Sequence, residues 1–145
     1  MAAQALADAA FAWPIRVYWE DTDAGGIVFY ANYLKFFERA RTEWLRRLGV
    51  SQQALRDSSG GMFVVTGTDM HYHRPARLDD TLQVTAEVVE QGRASMLLQQ
   101  AAWRVAPEQA PVLLCEGTVR IGWVNAHTLR PARLPTELQH LFEPT

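Results

Sequence analysis

The sequence predicts an α+β domain in which one long amphipathic helix precedes a run of antiparallel strands. Apolar residues recur with helical spacing between Asn32 and Leu48. After Gly60, apolar and polar residues alternate over four long runs, which turn signals separate. No helical segment lies between these runs to form parallel crossovers, so we expect neighbouring strands to be antiparallel. The helix has one apolar side, and we expect the sheet to cover it.

Length and composition agree with a single globular domain. The chain has 145 residues, of which 48% are hydrophobic and 21% are charged. We predict one domain over residues 13–135, a flexible N-terminal tail at residues 1–12 and a C-terminal tail at residues 136–145. The single cysteine excludes an intramolecular disulfide, and the net charge of −2 argues against a nucleic-acid partner.

Targeting and nucleotide-binding patterns are missing from the sequence, which limits the function classes. The longest apolar stretch is far short of the ~20 residues that cross a membrane, and the N-terminus lacks the basic and apolar regions of a signal peptide. Neither a Walker A loop nor a GxGxxG motif occurs. We therefore expect a cytoplasmic protein with no transmembrane segment, no metal and no cofactor.

The first elements are a short strand, a loop and the long helix. Residues 15–19 are β-branched and aromatic, which is typical of a strand, and the polar residues 20–26 end in two glycines, which indicates a loop. The helix is predicted over about 17 residues from Asn32. Its inward stripe comprises Leu34, Phe37, Arg41, Trp44, Leu45 and Leu48. Gly49 supplies a C-terminal stop, and a second helix is expected to begin after Ser51, whose hydroxyl would cap it.

Four strands are predicted to follow, at residues 63–72, 81–90, 94–105 and 112–124. The second of them alternates most regularly, because its apolar residues from Leu82 to Val88 share one face. Together with the first strand, they make a predicted sheet of five strands.

The loop before the long helix carries the densest set of acidic side chains, namely Glu20, Asp21 and Asp23. Backbone N–H groups at the start of a helix are unpaired and carry a partial positive charge, so they can stabilise a carbonyl oxygen that develops negative charge. A nearby carboxylate could attack the acyl carbon or take a proton from water. This pattern indicates acyl-transfer chemistry.

Two other interpretations of the acidic loop stay open. Acidic residues before a helix are common as caps and turn formers. Asp21, Asp23 and Gly26 also match part of a calcium-binding loop. However, Gly25 and Asn32 stand where that loop needs an acidic or amide side chain and a bidentate glutamate.

A known family shares these residues. The signature of the 4-hydroxybenzoyl-CoA thioesterase-like hotdog proteins resembles the pattern Arg16-Val17-x-x-x-Asp21-Thr22-Asp23-x-x-Gly26-x-Val28-x-Tyr30-x-x-Tyr33. The longer run VYWEDTDAGGIVFYANYLKFFERARTEWLR, with PARLDD at residues 75–80, is similar to the YbgC branch. Members of that branch are acyl-CoA thioesterases associated with the Tol-Pal cell-envelope system. The resemblance covers about residues 12–135.

The resemblance implies a hotdog fold, in which a five-stranded antiparallel sheet wraps one long central helix, assembled as a homodimer or homotetramer. It implies that Asp23 is the catalytic carboxylate, as nucleophile or general base, and that the backbone N–H of Tyr30 polarises the thioester carbonyl. Many YbgC-like members carry histidine at the position of Tyr30; a backbone donor survives that exchange, whereas an imidazole role does not. Asp21 is expected to be structural and hydrogen-bonded to N–H groups of the loop.

Acyl-CoA as the expected substrate indicates further contacts. Gly25 and Gly26 would let the chain turn tightly and bring its backbone close to the thioester. CoA carries a diphosphate and a ribose phosphate, and Arg74, Arg77 and Arg93 are the candidate phosphate contacts. The simpler interpretation of each of these arginines is an ordinary surface charge.

Three further side chains have simpler interpretations. His71 and His73 lie two residues apart on one side of a strand, but no third metal ligand is evident nearby, so we expect a solvated or hydrogen-bonded pair. Cys115 lies in an apolar run and is expected to be buried.

Two other functions stay open from the sequence. The domain could bind acyl-CoA or acyl carrier protein without turnover, as a scaffold linked to phospholipid synthesis or to Tol-Pal-related proteins. It could also be a dehydratase or hydratase of 3-hydroxyacyl thioesters. Such enzymes usually use a histidine with a carboxylate, and the loop before the helix contains no histidine.

Overall fold

The computed structural model describes residues 2–143. Along the chain these residues form α1 (Ala2–Ala7), β1 (Ala12–Arg16), a 3₁₀ turn (Trp19–Asp21), α2 (Asn32–Arg47), α3 (Gln52–Ser59), β2 (Gly61–Tyr72), β3 (Thr81–Thr85), β4 (Glu87–Gln91), β5 (Ser95–Val105), β6 (Val112–Asn125) and α4 (Thr136–Leu141).

The strands form one antiparallel sheet in the order β1-β3-β5-β6-β2, and β4 pairs with β5 outside this path. The α+β class and the antiparallel pairing are therefore as predicted. The sheet has six strands rather than five, because the predicted strand at residues 81–90 is divided at Ala86. The N–H of Ala86 donates to the carbonyl of Phe11 at 3.3 Å, and Ala86 is 1% exposed, so the chain turns inward there.

The first strand begins and ends three residues earlier than predicted. β1 pairs with β3 from Ala12 to Arg16. At Val17 the N–H donates instead to the carbonyl of Asp80, at 2.9 Å, and the 3₁₀ turn then begins at Trp19. β1 lies at the edge of the sheet, where the proline at position 14 is tolerated.

Helix α2 packs against β1, β3 and β5, and its buried face shares Phe37, Trp44 and Leu45 with the predicted stripe. The buried residues of α2 are Asn32, Tyr33, Phe36, Phe37, Ala40, Trp44 and Leu45. Leu34, which we predicted to face inward, is 39% exposed. The Arg41 guanidinium is half-buried because it donates to Oε1 of the fully buried Gln100 at 2.8 Å. Gln100 Nε2 in turn donates to the carbonyl of Phe37 at 3.1 Å, which ties α2 to β5.

The segments on either side of residues 13–135, which we predicted as tails, contain α1 and α4. Leu138 and Phe142 are buried, and the Phe142 ring lies 5.4 Å from the Trp44 ring. Residue 1 and residues 144–145, the outermost parts of the predicted tails, lie outside the described residues. Within the described range, no helix has the length and apolar character that a membrane crossing requires.

Candidate active site

The acidic loop forms a tight hairpin over residues 22–28. Thr22 and Val28 form a β-bridge, and the N–H of Asp23 donates to the carbonyl of Ile27 at 2.9 Å. The N–H of Gly26 donates to the carbonyl of Asp23 at 3.0 Å, which closes the turn. Gly26 has a φ of +80°, in the left-handed region that favours glycine, so this turn needs glycine at that position.

The PARLDD segment at residues 75–80 supports this hairpin. Ile27 forms a bridge with Arg77, and the N–H of Val28 donates to the carbonyl of Ala76 at 2.9 Å. The N–H of Ala76 donates in turn to the hydroxyl of Tyr33, on the first turn of α2, at 3.1 Å. The hairpin, residues 75–80 and the start of α2 therefore hold one another in place.

Asp21 fastens the hairpin to the helix. Its side chain is buried, and its two carboxylate oxygens accept from the N–H of Tyr18 at 2.8 Å and from Nδ2 of Asn32 at 2.7 Å. These contacts agree with the structural role predicted for Asp21. The part that Asn32 plays was not predicted, because the two side chains lie eleven residues apart without a recognisable spacing.

Asp23 has the opposite environment. Its side chain is exposed and forms no ion pair with any residue between 2 and 143. Oδ1 accepts from the N–H of Gly25 at 2.8 Å. A Cβ atom at position 25 would lie 3.2 Å from that oxygen, so glycine there leaves room for the carboxylate.

Tyr30 lies between the hairpin and α2. The N–H of Asn32 donates to the carbonyl of Phe29 at 2.8 Å, and that of Leu34 donates to Ala31 at 3.1 Å. The Tyr30 N–H makes no hydrogen bond within the described part of the chain. It therefore offers a donor at the positive end of the α2 dipole.

A cavity of about 260 Å³ opens beside Tyr30. Its walls are Ile27, Val28, Tyr30, Tyr33, Tyr72, His73, Arg74 and Pro75. The Tyr72 ring lies 6.2 Å from the Tyr30 ring and 5.7 Å from the Tyr33 ring. Burial raises the pKa of Tyr33 and of Tyr72, so both hydroxyls keep their protons. Asp23 is not part of the cavity wall, but its backbone N–H donates to the carbonyl of Ile27, which is a wall residue.

The structure places two of the three candidate phosphate contacts near this cavity. Arg74 is part of its wall, and Arg77 forms a bridge with Ile27. The backbone N–H of Arg77 donates to Oδ2 of Asp80 at 2.9 Å, which fixes the start of that turn. Both side chains are exposed and point to no carboxylate partner within the described residues.

Arg93 lies at the other end of the sheet. It precedes β5, whose first residue Ser95 pairs with Gly122 of β6, whereas Tyr72 beside the cavity pairs with Cys115. The seven residue-to-residue steps of β6 from Cys115 to Gly122 span roughly 23 Å. Within one chain, Arg93 therefore lies too far from the cavity to contact a substrate there.

The remaining candidate side chains lie near the cavity end of the sheet. The His73 ring bonds to Glu116 at 2.8 Å, and the His71 ring lies 3.5 Å from Asp69. In the described range, no group of three or more His, Cys, Asp or Glu side chains is placed to hold a metal ion. Cys115 is buried as predicted, and burial raises the pKa of its thiol to about 12, so it is not a nucleophile.

Known proteins resemble this chain over most of its length. The family model of the thioesterase superfamily matches residues 25–110. The acyl-CoA thioesterase YbgC of Haemophilus influenzae is 41% identical over 137 residues, which are 94% of this chain and 97% of that protein.

Solved structures agree with this relationship. A probable thioesterase from Bartonella henselae is 33% identical, with a TM-score of 0.76 over 87% of this chain and 100% of that one. A mutant 4-hydroxybenzoyl CoA thioesterase in complex with 4-hydroxybenzoyl CoA is 18% identical, with a TM-score of 0.84 over 91% of this chain and 97% of that one. These neighbours confirm the predicted hotdog thioesterase fold.

Proposed function

We propose, because this chain belongs to the thioesterase superfamily, that it hydrolyses an acyl-CoA thioester to a free carboxylic acid and CoA. Relatives that span almost the whole chain are named acyl-CoA thioesterase or acyl-CoA thioester hydrolase, so the class of reaction follows from the family. The assignment of residues to steps is our proposal, and the hairpin supports it.

In the proposed reaction Asp23 acts on the acyl carbon, either as nucleophile or as general base for a water molecule. The thioester oxygen accepts a hydrogen bond from the Tyr30 N–H, where the α2 dipole stabilises its developing charge. One observation carries this assignment: the hairpin presents the exposed Asp23 carboxylate, and the Tyr30 N–H follows between the hairpin and α2. Within residues 2–143 the carboxylate has no ion-pair partner and this N–H has no acceptor.

The cavity beside Tyr30 binds the part of the substrate that adjoins the thioester. Three tyrosine rings and Pro75 give it a mainly apolar wall. Arg74 and Arg77 at its mouth contact the phosphates of CoA, to which guanidinium groups bind in bidentate fashion. Gly25 leaves room for the carboxylate, and Gly26 adopts the positive φ that the turn requires. Arg93 contacts the substrate only if a second copy of the chain carries it to the cavity.

The assembly that we propose is a homodimer, or a homotetramer built from it, joined through β2. This strand has 12 residues and lies at the edge of the sheet, with one side unpaired in the described chain. Long exposed edge strands are templates for pairing with another chain. Around the hairpin, Trp19, Phe29 and Tyr30 are 82%, 46% and 64% exposed, an apolar surface that a second subunit can cover.

The cytoplasmic location, and an association with acyl carrier protein or with Tol-Pal-related proteins, stay predictions. Their support is the likeness to relatives named YbgC, together with the family resemblance of the loop motif.

The test measures CoA release from acetyl-, butyryl-, octanoyl- and benzoyl-CoA with a thiol reagent, for the wild type and for Asp23→Asn. We expect kcat to fall by about 10²-fold or more in Asp23→Asn, because the amide can neither attack the acyl carbon nor take a proton. Asp57→Asn, on the exposed face of α3, is the matched control and keeps wild-type turnover.

Two results would contradict the proposal. Near-wild-type turnover by Asp23→Asn would remove the assignment of that residue. Binding of an acyl-CoA by the wild type without any release of CoA would favour the alternative function, a domain that binds acyl-CoA or acyl carrier protein without hydrolysis.

A further inference from the structure

One titratable side chain in the cavity wall, His73, has no part in the reaction as described so far. It directly follows the last residue of β2, and its backbone N–H donates to the carbonyl of Leu114 at 2.8 Å. The N–H of Arg74 donates to the same carbonyl at 3.1 Å. The backbone that carries the imidazole is therefore anchored to β6, although it lies beyond the end of the β2 ladder.

The imidazole is held by a carboxylate. Nε2 of His73 lies 2.8 Å from Oε2 of Glu116, a residue of β6 that pairs with His71 and Ala101 in the sheet. A carboxylate bonded to one ring nitrogen orients the imidazole, and in the cationic form of any histidine both ring nitrogens are donors. The second ring nitrogen, Nδ1, bonds to no group in the described part of the chain.

We propose that His73, held by Glu116, donates a proton from Nδ1 to the sulfur of the CoA leaving group. This inference rests on the proposed hydrolysis. Tyr30 and His73 are residues of the same cavity wall, and the oxygen and the sulfur of a thioester are attached to the same carbon. A substrate whose oxygen is bound by the Tyr30 N–H can therefore place its sulfur in the cavity that His73 borders.

The step balances with water as the only co-reactant. The water oxygen bonds to the acyl carbon while Asp23 takes a water proton, and the carbon–sulfur bond then breaks with its electron pair on sulfur. His73 supplies the proton that makes the free CoA thiol. The His73 and Glu116 side chains are 45% and 38% exposed, so solvent can return a proton to the ring after each turnover.

The test compares two thioesters of the acyl group that the wild type prefers in the acyl-CoA panel. One is the CoA thioester; the other is the thioester of 4-nitrothiophenol, whose thiolate leaves without needing a proton. We expect His73→Gln to lower kcat/KM for the CoA thioester by about 10²-fold and for the aryl thioester by less than about 3-fold. Glu116→Gln, which keeps a hydrogen-bonding group and removes the charge, shows a smaller loss on the CoA thioester alone.

The matched control is His71→Gln. His71 lies two residues away on β2, outside the cavity wall, and we expect both rates to be unchanged. An equal loss on both thioesters in His73→Gln overturns the inference, since the residue would then only shape the cavity. Unchanged rates on both substrates overturn it as well.

The same assay separates this inference from the proposed function. If the function holds, Asp23→Asn loses activity on both thioesters, whatever His73 does. If the wild type releases no thiol from either substrate, the proposed function fails and the role of His73 fails with it.

Discussion

Replacing Asp21 with asparagine tests whether this buried carboxylate holds the hairpin to α2. Aspartate offers two acceptor oxygens, and each accepts one hydrogen bond, from the Tyr18 N–H and from the Asn32 amide. Asparagine offers one oxygen and one NH₂ group, so with the Asn32 amide in its present orientation one of these donors faces another donor. Asp21 and Asn32 are 3% and 7% exposed, and water cannot readily replace the lost partner.

The expected size of the effect follows from these contacts. A buried donor without a partner costs about 1–3 kcal/mol, and the remaining bond loses its charge. We expect Asp21→Asn to destabilise the fold by about 3 kcal/mol. For a domain of this size, each kcal/mol lowers Tm by about 2–4 °C, which gives a decrease of about 10 °C. The measurement is a thermal melt with urea unfolding beside it.

The control for this experiment is the same chemical change two residues later. Asp23 is exposed and accepts one hydrogen bond, from Gly25, which the side-chain oxygen of asparagine can also accept. We expect Asp23→Asn to stay within about 0.5 kcal/mol of the wild type. A wild-type Tm for Asp21→Asn, or an equal decrease in both variants, would refute the reasoning that burial separates the two aspartates.

Two further predictions concern the turn and the assembly. In Gly25→Ala the new Cβ lies 3.2 Å from Oδ1 of Asp23 and pushes the carboxylate aside. We therefore expect kcat to fall about 10-fold with Tm nearly unchanged. An unchanged kcat would show that turnover tolerates this displacement. Val65 is 51% exposed on β2, and Val65→Lys places a charge on the edge strand. We expect the mass measured by sedimentation to change from a multiple of 16.4 kDa to 16.4 kDa. A wild type that already sediments at 16.4 kDa would contradict the proposed assembly.

The boundaries of α2 and the start of α3 were predictable because their signals are local. α2 begins at Asn32 as predicted, and Gly49 after its end has a φ of +86°. Ser51 caps α3, since its hydroxyl accepts from the N–H of Ala54 at 3.4 Å. Each of these features depends on residues within one helical turn, so the sequence contains all the information needed.

The buried face of α2 could not be predicted as well. Helical spacing alone allowed a stripe through Leu34, but the sheet covers the side that carries Phe36 and Ala40. Arg41 has a place near the core only because Gln100 of β5 accepts from its guanidinium. Gln100 is 59 residues away in the chain, and no local pattern indicates this pairing.

The candidate site also contains features that local sequence predicts and features that depend on distant residues. The hairpin bonds join residues no more than a few positions apart, and the loop motif indicated this turn from the sequence. The cavity, by contrast, depends on Tyr72 and His73 at the end of β2, and Glu116 is 43 residues beyond His73. The two histidines were interpreted as a solvated or hydrogen-bonded pair, and their spacing gave no indication that only one of them borders the cavity.

The two aspartates of the loop show why spacing alone does not assign roles. Side chains at positions i and i+2 point to the same side when the chain is extended. Asp21 is the last residue of the 3₁₀ turn, and Asp23 begins the hairpin turn two residues later, so the backbone changes direction between them. One carboxylate is thereby buried against two donors, and the other is left exposed beside Gly25. The end of the 3₁₀ turn at Asp21, rather than any chemical difference between the side chains, leaves Asp23 exposed, as its proposed role requires.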